Sequence, residues 1–140
     1  MDYNYNDFKE DVKSRRVAEY SRVFSRLISE LDGLIDSNMI TNFYPKNLYN
    51  DIEEKEFIFL TENKVFLVKA NLENQISIIS FEKLINRIEL ISSKHQNEVV
   101  LTVNFKSGDV LILNSKADSN ENWVYEYSGA IREFYRELIK

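Results

Sequence analysis

The 140-residue sequence has no cysteine and a single histidine, His95. Without thiols the chain cannot form disulfide bonds, thiolate nucleophiles or cysteine-ligated metal centres. His95 lies in a polar stretch that contains no second histidine, so we expect an exposed side chain rather than a metal ligand or a catalytic base. The three glycines lie too far apart to form a phosphate-binding loop. We therefore expect a protein that is not an enzyme and that holds no metal and no cofactor.

Long apolar runs are also missing. No run approaches the roughly 18 residues needed to cross a bilayer, and residues 1–7 lack the basic and apolar regions of a signal peptide. We therefore expect a cytoplasmic protein. The net charge of −5 argues against a nucleic-acid partner, because such binding requires a basic face. With one proline and three glycines the chain has no long flexible linker, so we predict that residues 1–140 form one domain.

Six short apolar runs dominate the middle of the chain. They occupy residues 57–60, 65–68, 76–79, 88–91, 99–105 and 110–113. The runs are rich in valine, isoleucine and phenylalanine and are separated by turn-forming residues, a pattern typical of strands. Apolar and polar residues alternate in 99–105, which predicts one buried face and one at least partly exposed face. Residues 43–52 can add an edge strand, because proline, here Pro45, is tolerated only at the edges or ends of a sheet.

An amphipathic helix is predicted before these strands, over residues 7–35. It would begin at Asp7, with Glu10 completing a capping box. Its apolar stripe consists of Val17, Tyr20, Phe24, Leu27, Leu31 and Leu34. Two interpretations are open, because the stripe can pack on the protein's own sheet or pair with a partner or a second copy.

A second amphipathic helix is predicted after the strands, over residues 119–140, with Asp118 or Ser119 as its cap. Its spacing places one set of large side chains on a single face. The residues expected to contact the sheet are Trp123, Tyr127, Ile131 and Phe134.

The polar face of the first helix is basic, although the chain as a whole is acidic. It carries Lys13, Arg15, Arg16, Arg22 and Arg26. Only Glu19 interrupts this series. One interpretation is a solvated face with helix ion pairs to Glu19. The other is a surface that binds an anion or an acidic partner.

Three segments follow one another in the order found in pleckstrin-homology (PH) domains. They are 57–68 with a Leu-Thr-x-x-Lys hairpin, 78–85 with an apolar corner, and 105–110 with a Lys-x-Gly turn. Residues 55–138 therefore resemble the PH superfold, and in particular the small bacterial PH-like and GRAM-like domains. The resemblance implies an α+β fold, in which an antiparallel barrel or roll of six to seven strands is capped by the C-terminal helix. Residues 7–35 would be an added N-terminal helix.

The resemblance implies binding rather than catalysis. Phosphoinositide-binding PH domains place several basic residues in their early hairpin loops, whereas this chain offers Lys64 in one loop and Glu73 in the next. We therefore expect a non-catalytic module that binds a protein partner; the alternative is peripheral binding to anionic lipid through the basic face. The candidate surface is Lys13, Arg15, Arg16, Arg22, Arg26, Phe43, Tyr44 and Tyr49. For the aromatic residues the competing interpretation is that they cover the edge of the protein's own sheet.

Overall fold

The computed structural model describes residues 3–94 and 97–140, so His95 lies outside the described residues. The fold is α+β and contains two antiparallel sheets, one of four strands and one of three. Helices precede the sheets and one helix follows them. This confirms the predicted fold class, an antiparallel roll with a C-terminal helix. Within the described ranges the two sheets do not close into a barrel.

Each sheet is built from strands that are consecutive in the chain. The first sheet contains β1 (Asn42–Pro45), β2 (Lys55–Leu60), β3 (Lys64–Ala70) and β4 (Ile76–Glu82). The second contains β5 (Ile85–Ser92), β6 (Val99–Phe105) and β7 (Val110–Asn114). All six predicted runs lie in strands. The predicted edge strand is β1, in which Pro45 is the last residue.

The C-terminal helix, α3 (Val124–Leu138), begins later than predicted. Tyr127, Ile131 and Phe134 are fully buried, which confirms their predicted orientation. The prediction for Trp123 is wrong: it precedes the first helical residue, and the residue is 36% exposed. The proposed caps are also wrong: the Asp118 carboxylate accepts hydrogen bonds from Tyr44 and Asn114, and the Ser119 hydroxyl donates to the Ser115 carbonyl.

A core that we call the inner cluster lies between the two sheets and α3. The inward side chains of β6 belong to it, as the alternation in 99–105 predicts. The three inward aliphatic side chains of that strand, Val99, Leu101 and Val103, have no exposed surface. Burial of the α3 face against them closes this side of the roll.

The predicted helix over residues 7–35 is wrong as a single element. The structure has α1 (Tyr5–Lys13) and α2 (Ser21–Leu34), joined by a turn in which Arg15 and Ala18 adopt positive φ angles of 59° and 52°. The cap of α1 is Asn4, whose side chain and that of Asp7 form a capping box.

The physical reason for the break is length. A continuous helix over residues 7–35 would be about 44 Å long, whereas a seven-residue strand spans about 23 Å. Folding the segment in two places the apolar faces of both helices on the same side of the four-stranded sheet. There they form a second core, the outer cluster, with Phe8 and Phe24 packed against Phe57 of β2. The α2 stripe thus packs on its own sheet, except for Leu34, which is 67% exposed.

Candidate functional site

One candidate surface is the free edge of β7. The Ser115 N–H donates to the Val99 carbonyl at 3.0 Å, which continues the register between β7 and β6. Hydrogen-bonded pairs recur at every second residue of an antiparallel ladder, so the odd-numbered residues of β7 bond to β6. The backbone N–H and C=O groups of Val110 and Ile112 consequently point away from the sheet.

The edge of β7 is open within the described ranges. No hydrogen bond within residues 3–94 and 97–140 reaches Val110 or Ile112 from the free side. Their side chains are 53% and 49% exposed on the outer face of the sheet. The strand has the sequence Val-Leu-Ile-Leu-Asn and carries no charge. Natural sheets usually protect an exposed edge with charges, proline or a bulge, and β7 has none of these.

Two of the other edge strands, β5 and β1, differ from β7 in this respect, whereas β4 carries a single charge, at its last residue Glu82. The edge strand β5 carries Arg87 and Glu89, whose charged atoms are 3.7 Å apart, and it contains an irregularity in register between Ile85 and Arg87. The edge strand β1 ends in Pro45. Because charges, bulges and proline all oppose strand addition, β7 is better suited than β5 or β1 to receive another strand, and it differs from β4 in carrying no charge at all.

A second candidate surface, which we call the basic depression, lies where α1 meets α2. It has a volume of about 560 Å³ and is lined by Lys13, Arg15 and Arg22 together with the hydroxyl-bearing Ser21 and Ser25. All three basic side chains are exposed. Within the described part of the chain, none of the three makes an ion pair or a side-chain hydrogen bond.

The chain reversal between the helices builds the basic depression. Lys13 is the last residue of α1, Arg15 lies in the turn, and Arg22 is in the first helical turn of α2. The Arg15 N–H donates to the Val12 carbonyl at 3.0 Å, which holds the turn against α1. A left-handed conformation costs a non-glycine residue about 1–2 kcal/mol, and the surrounding structure compensates for it at Arg15. Three cations from separate segments are thereby brought to one place.

The structure does not bring the other two predicted basic residues into the depression. Arg16 turns towards Asp11, with charged atoms 3.8 Å apart, and Arg26 donates to the carbonyl of Asn74. The prediction of one continuous basic helix face is therefore wrong, because the break between the helices divides the set. The predicted ion pairs of Glu19 are also absent within residues 3–94 and 97–140.

The predicted aromatic surface is largely interior. Phe43 is 8% exposed and belongs to the outer cluster, whereas Tyr44 is 1% exposed and belongs to the inner cluster. Tyr49 is half-buried and stacks on Trp123 with ring centroids 4.7 Å apart. Phe43 and Tyr44 therefore cover the protein's own sheet and are not available to a partner in this structure.

Asp118 is a buried acid whose only predicted role was that of a helix cap. Its carboxylate accepts hydrogen bonds from the Tyr44 hydroxyl at 2.8 Å and from the Asn114 N–H at 2.9 Å. Burial raises the pKa of Asp118 from 3.8 to about 6, although these hydrogen bonds and Lys46 act in the opposite direction. Because all its contacts are internal, Asp118 joins the loop after β7 to β1 and has a structural role.

Lys55 is a buried base that was also missed. Its ammonium group donates to the carbonyls of Asn47 and Asn50 at 3.1 and 2.8 Å, and it lies 5.3 Å from the centre of the Tyr20 ring. Burial lowers the pKa of Lys55. These contacts hold the irregular segment between β1 and β2 against the N-terminal helices.

Two kinds of site are not found in the described part of the chain. No group of three histidine, cysteine, aspartate or glutamate side chains there has an arrangement that can hold a metal ion. None of the helices described is long and apolar enough to cross a bilayer.

The fold and these surfaces define a small α+β protein with an uncharged, open strand edge at β7 and a basic depression between α1 and α2. The chain belongs to the family described as "Protein of unknown function (DUF3908)", whose family model matches residues 3–129. The match includes both N-terminal helices and both sheets. It therefore also covers the residues before 55, to which the PH resemblance does not extend. No curated protein and no solved structure gives a significant match.

Proposed function

We propose that the protein is a non-catalytic, PH-like interaction module that binds an extended segment of a protein partner along β7. The observation that carries this proposal is the open edge at Val110 and Ile112. A partner strand placed there would hydrogen-bond to backbone groups that have no partner within the described chain. Strand addition of this kind is a common mode of peptide recognition. The order of a four-stranded sheet, a three-stranded sheet and a final helix supports the PH-like part of the proposal.

The outer face beside this edge indicates the chemistry of the partner. The exposed side chains of Val110 and Ile112 are apolar, and the neighbouring residues on β6 are Asn104 and Thr102. Side chains of an added strand alternate between the two faces. We therefore expect a partner segment with apolar residues at alternate positions on its outer side and with no requirement for charge.

Selection from a random-peptide library displayed on phage, with the full chain as bait, tests the proposal. The edge variant Val110→Lys/Ile112→Lys places two charges at the open edge. The matched control Asn104→Lys/Thr102→Lys places the same charges on the same face of the central strand. We expect selected peptides to bind the edge variant at least about tenfold more weakly, because edge lysines oppose strand addition. The control should bind within about threefold of the wild type, since its charges do not lie on the edge strand with which the added strand must pair.

A backbone measurement complements the selection. Hydrogen exchange at the Val110 and Ile112 amides should slow when a selected peptide is added, because these N–H groups would become donors in the new ladder. Peptides that bind both variants equally, or that leave these two amides unprotected, would refute binding along β7. A concentration-dependent dimer that only the edge variant abolishes would identify a second copy as the occupant instead.

A further inference from the structure

The basic depression is separate from the edge of β7 and carries an inference of its own. Lys13, Arg15 and Arg22 reach it from the end of one helix, from a turn and from the start of the next helix. Cations that repel one another are usually dispersed or paired with carboxylates on a protein surface. Here they line one depression without a counter-charge from the described chain, although the protein has more acidic than basic residues.

We propose that the basic depression is a binding site for a phosphomonoester group. Such a group carries about 1.5 to 2 negative charges at neutral pH and presents three strong acceptor oxygens. Arginine matches a phosphate with two parallel N–H donors, and lysine adds a compact charge. A single carboxylate would neutralise only one of the three cations. The Ser25 hydroxyl, which has no hydrogen bond within the described residues, adds a neutral donor.

The surroundings of the depression favour a soluble phosphate ester over a lipid. Its apolar lining is Val12, which is 5% exposed, and the small side chain of Ala18. The depression therefore offers no large exposed apolar side chain that could enter a bilayer, as peripheral membrane proteins usually require. A lipid headgroup remains the other source of the same chemical group, so the experiment includes it as a separate arm.

The test uses the full chain and follows amide chemical shifts by NMR during titration with inorganic phosphate and with glycerol phosphate. The site variant is Arg15→Gln/Arg22→Gln. The matched control is Arg16→Gln/Arg26→Gln, which removes the same charge from neighbouring positions outside the depression. We expect the dissociation constant for phosphate to rise about tenfold or more in the site variant, because charge-assisted hydrogen bonds are lost. The control should change it by less than about threefold.

The pH dependence gives an independent readout. Because the second pKa of a phosphomonoester is about 6, the affinity for glycerol phosphate should increase between pH 5.5 and 7.5, whereas the affinity for sulfate should not. The third arm is co-sedimentation with vesicles that contain phosphatidic acid. Sedimentation that the site variant abolishes would identify a lipid as the source of the group. Phosphate binding without sedimentation would identify a soluble ester.

Three results would overturn the proposal. They are equal losses in the site and control variants, shifts that map outside the depression, and no response to any of the three probes. None of these results bears on the edge of β7, because the two surfaces share no residue. Failure of either proposal therefore leaves the other to be judged on its own experiment.

Discussion

The two sheets differ in how many of their faces are covered. The four-stranded sheet lies between the inner and outer clusters, and every residue of 57–60 in β2 is buried. The three-stranded sheet is covered on one face only, so residues of β6 alternate between buried and half-buried. The contrast shows what the N-terminal helices do: they convert an outer face that would otherwise be apolar and exposed into a second core.

The same contrast explains why the outer face beside the β7 edge is exposed in the smaller sheet. No described helix packs on its outer face, which leaves Ile91, Val110 and Ile112 about half exposed. Burial of apolar area contributes roughly 25 cal/mol per Å², so a partner that covers these residues would gain stability from the contact. The sheet that is covered on both faces thus offers little apolar surface to a partner, whereas the outer face of the smaller sheet offers some.

The largest loss of stability is expected at Phe24, in the outer cluster that covers the four-stranded sheet. This side chain has no exposed surface, and its ring lies 5.3 and 5.4 Å from the rings of Phe8 and Phe57. Phe24→Ala should lower the free energy of unfolding by about 3–5 kcal/mol, because it leaves a cavity in a core. Ile112→Ala on the open face should cost less than about 1 kcal/mol. Urea unfolding of both variants measures the difference, and equal losses would show that the outer cluster is not a true core.

A smaller change in stability, which depends on pH, is expected from Asp118, where the loop after β7 meets β1. The folded pKa of Asp118, about 6, lies above the ordinary 3.8, so its protonated form is favoured by folding. Its contribution to stability is fully present below pH 3.8 and is lost as the pH rises through about 6. Between pH 4 and 7 the wild type should therefore lose about 2–3 kcal/mol relative to Asp118→Asn.

Urea unfolding of the wild type and of Asp118→Asn at several pH values measures the difference between their free energies of unfolding. The contributions of the other carboxylates are common to both proteins and largely cancel. A difference that does not change with pH would show that Asp118 titrates near its ordinary value. A difference of opposite slope would show that its hydrogen bonds to Tyr44 and Asn114 outweigh its burial.

Much of the fold follows from local pattern. The strands were predictable because short β-rich runs alternate with turn residues, and the inward face of α3 was predictable from helical spacing. The break between α1 and α2 was not, because the turn at Arg15 contains neither glycine nor proline. It results from the length of the sheet that the helices must cover, which is a tertiary property.

The candidate surfaces were predictable only in part. The excess of basic residues in 13–26 was visible in the sequence, but the path of the chain decides that three of the five side chains converge. Phe43 and Tyr44 were candidates because they are aromatic and lie near a turn, yet each faces a different core on opposite sides of β1. The open edge of β7 requires knowledge of strand order and register, which the sequence does not contain.

The smallest loss of stability is expected at Trp123, which lies at the margin of the inner cluster. Its ring stacks on Tyr49 at an interplanar angle of 10° and does not lie within that cluster. Trp123→Ala should lower the free energy of unfolding by about 1–2 kcal/mol, because an aromatic pair adds about 0.5–1.5 kcal/mol to the area that it buries. Tyr127→Ala, one helical turn further along and fully buried, should cost about 3–5 kcal/mol. A double-mutant cycle with Tyr49→Ala isolates the stacking contribution. A loss at Trp123 as large as that at Tyr127 would place the indole in the core, as the helical spacing alone predicts.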